Sequence, residues 1–348
     1  MRPCGAHWHP GSPVSDGGEG AAGRIPPGRV RVRDGCPAGI GSGLSGVAVV
    51  GSANVDLIAT VAAAPEPGQT VLAADYAQDV GGKGLNQAVA AARRAATALV
   101  ASVGEDAEGA RVRAHAERRG VDVSATLASA LPTGRALITL LPGGDNTIVV
   151  AALANGRLSA DAVTEALERL RPAVVLVQFE IPEEAVEAAA RWTREAGARL
   201  LVNPSPMRPI AAGLLATADP LIVNLGEAAE LVGAAQPGAD GDTGGAADDG
   251  AAGDALGGDA AGYARLLAER AASVVVTAGP DGAAVCAGES LVRLAVPERV
   301  EVRDSSGAGD EFAGCLAAAL ASGADLASAA EAAVAAATRI VATRRADR

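Results

Sequence analysis

The stretch RDSSGAGDEFAG, residues 303–314, sets an acid, two serines and three small residues ahead of a second acid. An alanine-rich run follows, so a helix is expected to start here. Gly307, Ala308 and Gly309 would present successive backbone N–H groups at that start, where the helix dipole adds roughly half a positive charge. Asp310 falls within the first turn, where a carboxylate is a common stabilising choice and nothing more. Beside an anion hole it takes on a second meaning. Phosphoryl transfer to an alcohol needs donors for the migrating group and a carboxylate to accept the hydroxyl proton. A carboxylate of ordinary pKa suffices, because the alcohol loses its proton late, as the new bond forms.

Two other glycine-rich stretches bear on the same chemistry. GSGLSG (41–46) matches G-x-G-x-x-G, but that motif works only between a preceding strand and a following helix. Here the strand-like VAVVGS comes after it, so the match is rejected. GGKG (81–84) resembles part of a Walker A loop, yet Gly84 stands where Ser or Thr would hold magnesium. It reads either as a flexible turn opening a helix or as a close backbone approach to a polar ligand. In the second case Lys83 and Asn86 supply donors of the kind a sugar needs. HWHP near Cys4 fits no zinc-ligand spacing.

These residues must be held by a regular framework, and the chain supplies one. VAVVGS (47–52), TALVASVG (97–104), AVVLVQFE (173–180), RLLVNP (199–204), PLIVNLG (220–226) and SVVVTAG (273–279) are continuous apolar runs rich in Val. Such runs suit parallel strands buried on both faces. Helical spacing is read at 84–96, 107–119, 159–170, 182–196, 226–234, 262–272, 309–321 and 325–343. Strand followed by helix, repeated, predicts an α/β fold with a doubly wound, mostly parallel sheet. TVLAADYAQDV (70–80) and RALITLLPGGDNTIVVAAL (135–153) lack intervening helices and predict a small β-sheet lid, with its material in about 54–80 and 135–153. In an open parallel sheet the ligand crevice lies beyond the carboxyl ends of the strands. Polar residues end the runs there: Asn54 and Asp56, Glu180, Asn203, Asn224 with Glu227, and Thr277 with Gly279. One alone would be an ordinary cap; several on one rim point to a site.

The bulk numbers narrow the possibilities. A chain of 348 residues with 49% hydrophobic content can bury a large core, but only 2% is aromatic, so Ala, Val, Leu and Ile must build it. A net charge of −12 argues against nucleic acid as a partner. No apolar run reaches the ~20 residues of a membrane span. Four scattered cysteines (Cys4, Cys36, Cys286, Cys315) make no disulfide framework, so a reducing cytoplasm is the expected setting. Residues 1–46, rich in Gly, Pro and Arg, read as a disordered leader, and the rest, 47–348, as one domain. Residues 235–262 read as an acidic low-complexity insert between two helices.

With these residues in view, the sequence resembles the ribokinase-like (PfkB) carbohydrate kinases. DSSGAGDEF resembles the family's C-terminal signature, and PEPGQTVLAADYAQDVGGKGLNQAVAAAR its N-terminal one. VVGSANVDLI resembles its first strand, and PTGRALITL with DNTIVVAALANG its lid region. VNPSP, NLGEAAEL and TAGPDGAAV follow in family order. The resemblance runs from Val47 to about Arg344, and GGKGLNQA favours a ribose acceptor over others in the family.

The resemblance implies roles. Asp310 would be the catalytic base, and Gly307, Ala308 and Gly309 the anion hole. Asn54, Asp56, Gly82, Lys83, Gly84, Asn86 and Glu180 would hold sugar hydroxyls. Asn224 and Glu227 would organise magnesium through water, and Thr277, Ala278, Gly279, Pro280, Asp281 and Gly282 would lie along the nucleotide. Asp304 and the Ser306 carbonyl would belong to a monovalent cation site. The implied activity is ATP-dependent phosphorylation of a pentose primary hydroxyl, most simply D-ribose to ribose 5-phosphate. ATP and magnesium take part, potassium is a further candidate, and a homodimer is expected by family analogy. The alternatives are a PfkB kinase for another sugar or a nucleoside, and a sugar-binding pseudokinase. Departures from the family pattern are Glu311, expected to add charge near the triphosphate, and Val334, where relatives often place an Asn near adenine. Part of the cation site and of the adenine wall would fall past Arg348.

Overall fold

A computed structural model describes residues 43–142, 146–233 and 258–343. Most of the expected leader and insert, together with the first two cysteines, lie outside these residues. The principal sheet has the order β14-β13-β12-β11-β10-β9-β1-β4-β5, with β6 also pairing with β4. Its strands are β1 (Val47–Val50), β4 (Thr97–Gly104), β5 (Val121–Asp122), β6 (Thr126–Ser129), β9 (Val174–Gln178), β10 (Arg199–Asn203), β11 (Leu221–Asn224), β12 (Ser273–Thr277), β13 (Ala283–Ala287) and β14 (Ser290–Leu294). All its pairings are parallel except those of the β12-β13-β14 edge. The second sheet, order β3-β2-β7-β8, joins β2 (Asn54–Thr60), β3 (Asp75–Gly81), β7 (Gly134–Leu140) and β8 (Asn146–Ala151).

The Val-rich runs are continuous because both faces of the large sheet are covered. Ala48, Val50, Val175 and Val177 belong to one core, while Val47, Val49, Val174 and Leu176 belong to the other. Side chains alternate along a strand, so each run must be apolar at every position. The first core packs under α3 (Ala160–Leu170), α4 (Glu183–Ala196), α5 (Ala212–Thr217), α6 (Leu225–Gly233) and α7 (Ala260–Ala268). The second packs under α1 (Lys83–Ala92), α2 (Ala107–Arg118), α8 (Ala308–Ala321) and α9 (Leu326–Val341). Val334 is part of this core, 5% exposed.

Several boundaries differ from the sequence reading. The strand expected over 70–80 forms only from Asp75, and the helix expected over 262–272 begins at Ala260. Asp259 accepts from the Gly262 amide at 2.7 Å and caps that helix, so the start lies inside the stretch read as acidic insert. The β13–β14 hairpin and α5 were not anticipated.

Candidate active site

β1 is flanked by β9 on one side and β4 on the other, so the chain leaves it in both directions across the sheet. Such a switch point opens a crevice at the strand ends. Immediately after β1, Ser52, Asn54 and Asp56 are all buried. The turn at residues 81–84 lies directly on this segment: the Leu85 amide donates to the Ser52 carbonyl at 2.9 Å, and the Gly84 amide to Ser52 Oγ at 3.3 Å. A Cβ at Gly84 would sit 2.6 Å from Gly51 C, Ser52 N and Ser52 O, so only glycine permits this approach.

Glu180, just past β9, is gathered into the same place. Its Oε2 accepts from Ser52 Oγ and, at 3.2 Å, from the Lys83 amide. Burial pushes the Glu180 carboxyl above the usual carboxylate range; the Ser52 and Lys83 donors oppose that, and the nearby Asp310 charge adds to it. Asn54 is held from the far side. Its Oδ1 accepts from Asn155 Nδ2 at 2.6 Å, and Asn155 Oδ1 accepts from the Ala53 amide at 2.9 Å. With its oxygen occupied, the Asn54 amide is left to present N–H groups.

Asp310 lies in the first turn of α8 and is only 8% exposed. Asn86 Nδ2 donates to its Oδ2 at 3.0 Å, and Gln87 Nε2 donates to its Oδ1 at 3.0 Å. Burial pushes this carboxyl up, against the pull of the Lys83 charge and the two amide donors. Ahead of it, Gly307 adopts φ 75° as the N-cap. A Cβ on Gly309 would meet nothing within 4 Å, so the loop opens onto space. The Ala308 amide already donates to the Ser305 carbonyl at 3.2 Å. That leaves Gly307 and Gly309 as the backbone donors best suited to an anion.

Asp304 braces the loop: its Oδ1 accepts from the Ser306 amide at 2.8 Å. The Arg303 and Asp304 amides both donate to the Val341 carbonyl at the end of α9. Glu311 overturns the expectation of extra charge at the triphosphate. It turns toward α1, pairing with Arg93 Nη1 at 2.6 Å and Arg94 Nη1 at 3.6 Å, and is 7% exposed. Its charge is balanced there.

The remaining residues lie along the same rim. Asn224 and Glu227 form a reciprocal cap at the start of α6: the Asn224 amide donates to Glu227 Oε2 at 2.9 Å, and the Glu227 amide to Asn224 Oδ1 at 2.8 Å. Asn224 is in register with Thr277, whose hydroxyl donates to the Val223 carbonyl at 3.4 Å. Gly279, Pro280 and Asp281 form a single turn closed by the Ala278 amide on the Gly282 carbonyl at 2.8 Å. Among the described residues no cluster of three or more His, Cys, Asp or Glu is arranged to hold a metal. No helix of these residues is long and apolar enough to cross a membrane.

Sequence reasoning missed Ser52, Gln87 and Asn155 as parts of this network, and with them Gln178, whose Nε2 donates to Gln87 Oε1 at 2.7 Å. Gln87 had a signal, since it sits beside Asn86 in GGKGLNQA.

Comparison with known proteins agrees with this geometry. The sequence model described as pfkB family carbohydrate kinase matches residues 45–347. The chain is 32% identical to the ribokinase of Bacillus subtilis (strain 168) over 283 residues, covering 80% of this chain and 87% of the relative. A crystal structure of ribokinase from Thermotoga maritima superposes with a TM-score of 0.73 at 25% identity, covering 86% of this chain and 94% of the other. The ribokinase of Arabidopsis thaliana, in a structure described as complexed with ribose and ATP, gives 0.71 at 26% identity over 86% and 94% of the two chains. With a match over nearly its whole described length, the chain belongs to the pfkB family of carbohydrate kinases, a family of phosphotransferases.

Proposed function

We propose that this kinase transfers the γ-phosphate of ATP to the primary hydroxyl of a pentose, D-ribose at O5, giving ribose 5-phosphate. The observation that carries the reading is the seating of Asp310, nearly buried and held by two amide donors, beside a glycine loop that opens onto space. Asp310 accepts the hydroxyl proton as the oxygen attacks, and Gly307 and Gly309 supply backbone donors to the migrating group. Asn54, Asp56, Lys83, Asn86 and Glu180 surround the acceptor with groups that match a polyhydroxylated ring. None of these five is aromatic, so none of them offers a nucleobase a ring to stack on.

Thr277 to Gly282 would lie along the nucleotide, with Asn224 and Glu227 at the phosphates. A magnesium ion would rest mainly on the triphosphate oxygens, with Glu227 reaching it through water. Asp304 and the Ser306 carbonyl would hold potassium, tightening the loop that carries Gly307. The second sheet would act as a lid that excludes water while ATP is bound. Tyr76, Leu137 and Val149 share one face of it at 57%, 50% and 64% exposure, an apolar surface that fits a second copy of the chain. Buried free Cys286 and Cys315 fit a reducing cytoplasm.

The test is an acceptor panel read by ADP release, with and without potassium. Ribose should give the highest kcat/KM, ahead of 2-deoxyribose, hexoses and nucleosides. Phosphorylation of a nucleoside with none of ribose would overturn the acceptor assignment.

A further inference from the structure

We propose that Gln87 is a positioning residue for Asp310, an amide whose direction is locked from beneath so that Asp310 Oδ1 only accepts and the substrate proton is taken at Oδ2. The inference rests on the reading of Asp310 as base.

The lock begins at a group that cannot turn over. The Ile222 carbonyl accepts from Asn203 Nδ2 at 3.1 Å, which fixes the Asn203 amide with its oxygen toward Gln87. Gln87 Nε2 then donates twice, to Asn203 Oδ1 at 3.1 Å and to Asp310 Oδ1 at 3.0 Å. Its Oε1 accepts from Gln178 Nε2 at 2.7 Å. Turning the Gln87 amide over would set its oxygen against two acceptors and its nitrogen against the Gln178 donor. Gln87 and Gln178 are both fully buried, so water offers no relief. The strand register supports the same chain: Gln178 and Asn203 are paired at the ends of β9 and β10. Gln178 Oε1 is buried without a hydrogen-bond partner, a cost accepted where the nitrogen must face Gln87.

The consequence is an unequal pair of oxygens on Asp310. Oδ1 faces a permanent donor inside the protein, while Oδ2 faces Asn86 at the partly buried side of the site. During transfer the acceptor oxygen bonds to the γ-phosphorus and the γ-phosphorus–oxygen bond to the leaving diphosphate breaks, its electron pair going to ADP. The hydroxyl proton passes to Oδ2. The charged groups facing Asp310 are Lys83, which favours its ionised form, and Glu180, which opposes it. The Gln87 donor favours the ionised carboxylate, against the upward push of burial.

The experiment compares kcat–pH profiles of wild type, Gln87→Met, Asn203→Leu and Asp310→Asn, with sugar affinity by calorimetry. For Gln87→Met the acid limb should move up by about one pH unit, so that kcat on that limb falls about tenfold, with sugar affinity held within about twofold. Asn203→Leu, which leaves every Asp310 contact in place but removes one of the partners that fix the Gln87 amide, should shift the limb the same way by less. If Gln87→Met fails to fold, the limb of Asn203→Leu decides: a shift supports the lock and none overturns it. An unshifted limb in Gln87→Met overturns the proposal while leaving the base assignment standing, provided Asp310→Asn is inactive. Near-normal turnover by Asp310→Asn would remove both.

Discussion

Gly314 lies against the main chain of Gln87, one helical turn beyond Asp310 on α8. A Cβ added there would collide with the Gln87 carbonyl oxygen and stand 2.6 Å from Ala90 Cβ. Residues four apart share a helix face, so the contact that brings α1 and α8 together also brings Asn86 and Gln87 onto Asp310. Site geometry here is a consequence of helix packing between two alanine-rich segments.

Gly314→Val should therefore harm both stability and catalysis. The backbone of α1 cannot yield locally, and overpacking of this kind costs about 1–3 kcal/mol. The separation of the helices would also stretch the hydrogen bonds to Asp310, so kcat should fall more than sugar affinity. Thermal melting and steady-state kinetics read the two effects. A variant with wild-type melting and kcat would refute the role of this contact.

Arg93→Ala should destabilise the fold by about 1–2 kcal/mol, because it leaves the nearly buried Glu311 carboxylate with only the more distant Arg94. The double variant with Glu311→Ala should recover part of that loss in a double-mutant cycle. The KM for ATP should change less than about twofold, since a change in coupling of the site to this pair would have to exceed about 0.4 kcal/mol to show. A large rise in ATP KM would place Glu311 at the nucleotide after all.

Asn155→Leu removes the donor to Asn54 Oδ1 and the acceptor of the Ala53 amide. The Asn54 amide would then be free to turn its oxygen toward the sugar. The expected result is a sugar KM raised about tenfold or more, matching the roughly 1–3 kcal/mol of an unsatisfied buried group, with a smaller change in kcat. Equal KM values for the two proteins would remove Asn155 from the sugar side of the site.

Asp106 gives a pH signature independent of catalysis. Its carboxylate caps α2 through the Gly109 amide at 2.7 Å and accepts from the Thr133 hydroxyl at 2.6 Å and the Thr133 amide at 2.9 Å. Burial pushes its pKa up, but the Thr133 hydroxyl, the Thr133 and Gly109 amides and the Arg135 charge more than offset that, and the net shift is down. A carboxyl with a lowered folded pKa adds stability that is complete above its unfolded pKa of about 3.9 and is lost as pH falls through the folded value. Asp106→Asn should therefore melt lower than wild type at pH 7 by the equivalent of about 1 kcal/mol, with the gap closing below about pH 4. A gap that stays constant with pH would contradict the assignment.

The fold was legible because the large sheet is buried on both faces: a short uninterrupted Val-rich run between turn residues is what a strand covered on both sides demands, and its polar last residue marks the rim. The placement of Asp310 in the first turn of α8, behind a glycine loop, was legible because GAGD sets glycines and a carboxylate within one turn. The amides behind it were not. Gln87 meets an aspartate 223 positions away and a glutamine 91 positions away, and Asn155 meets Asn54 across 101. A buried amide in a helix or a 3-10 turn carries no local pattern that announces its partner. Glu311 was misread for the opposite reason: its neighbours in sequence belong to the candidate site, but helix rotation sends its side chain toward Arg93. The β13–β14 hairpin did leave a mark in its two-residue Gly288-Glu289 link, with Gly288 at φ 55°.

The most direct measurement is single-turnover kinetics of Asp310→Asn with ATP and ribose, alongside calorimetry for the sugar. Loss of at least about a hundredfold in the transfer rate, with ribose still bound at near wild-type affinity, is the expected result. Transfer at a rate close to wild type by that variant would contradict it.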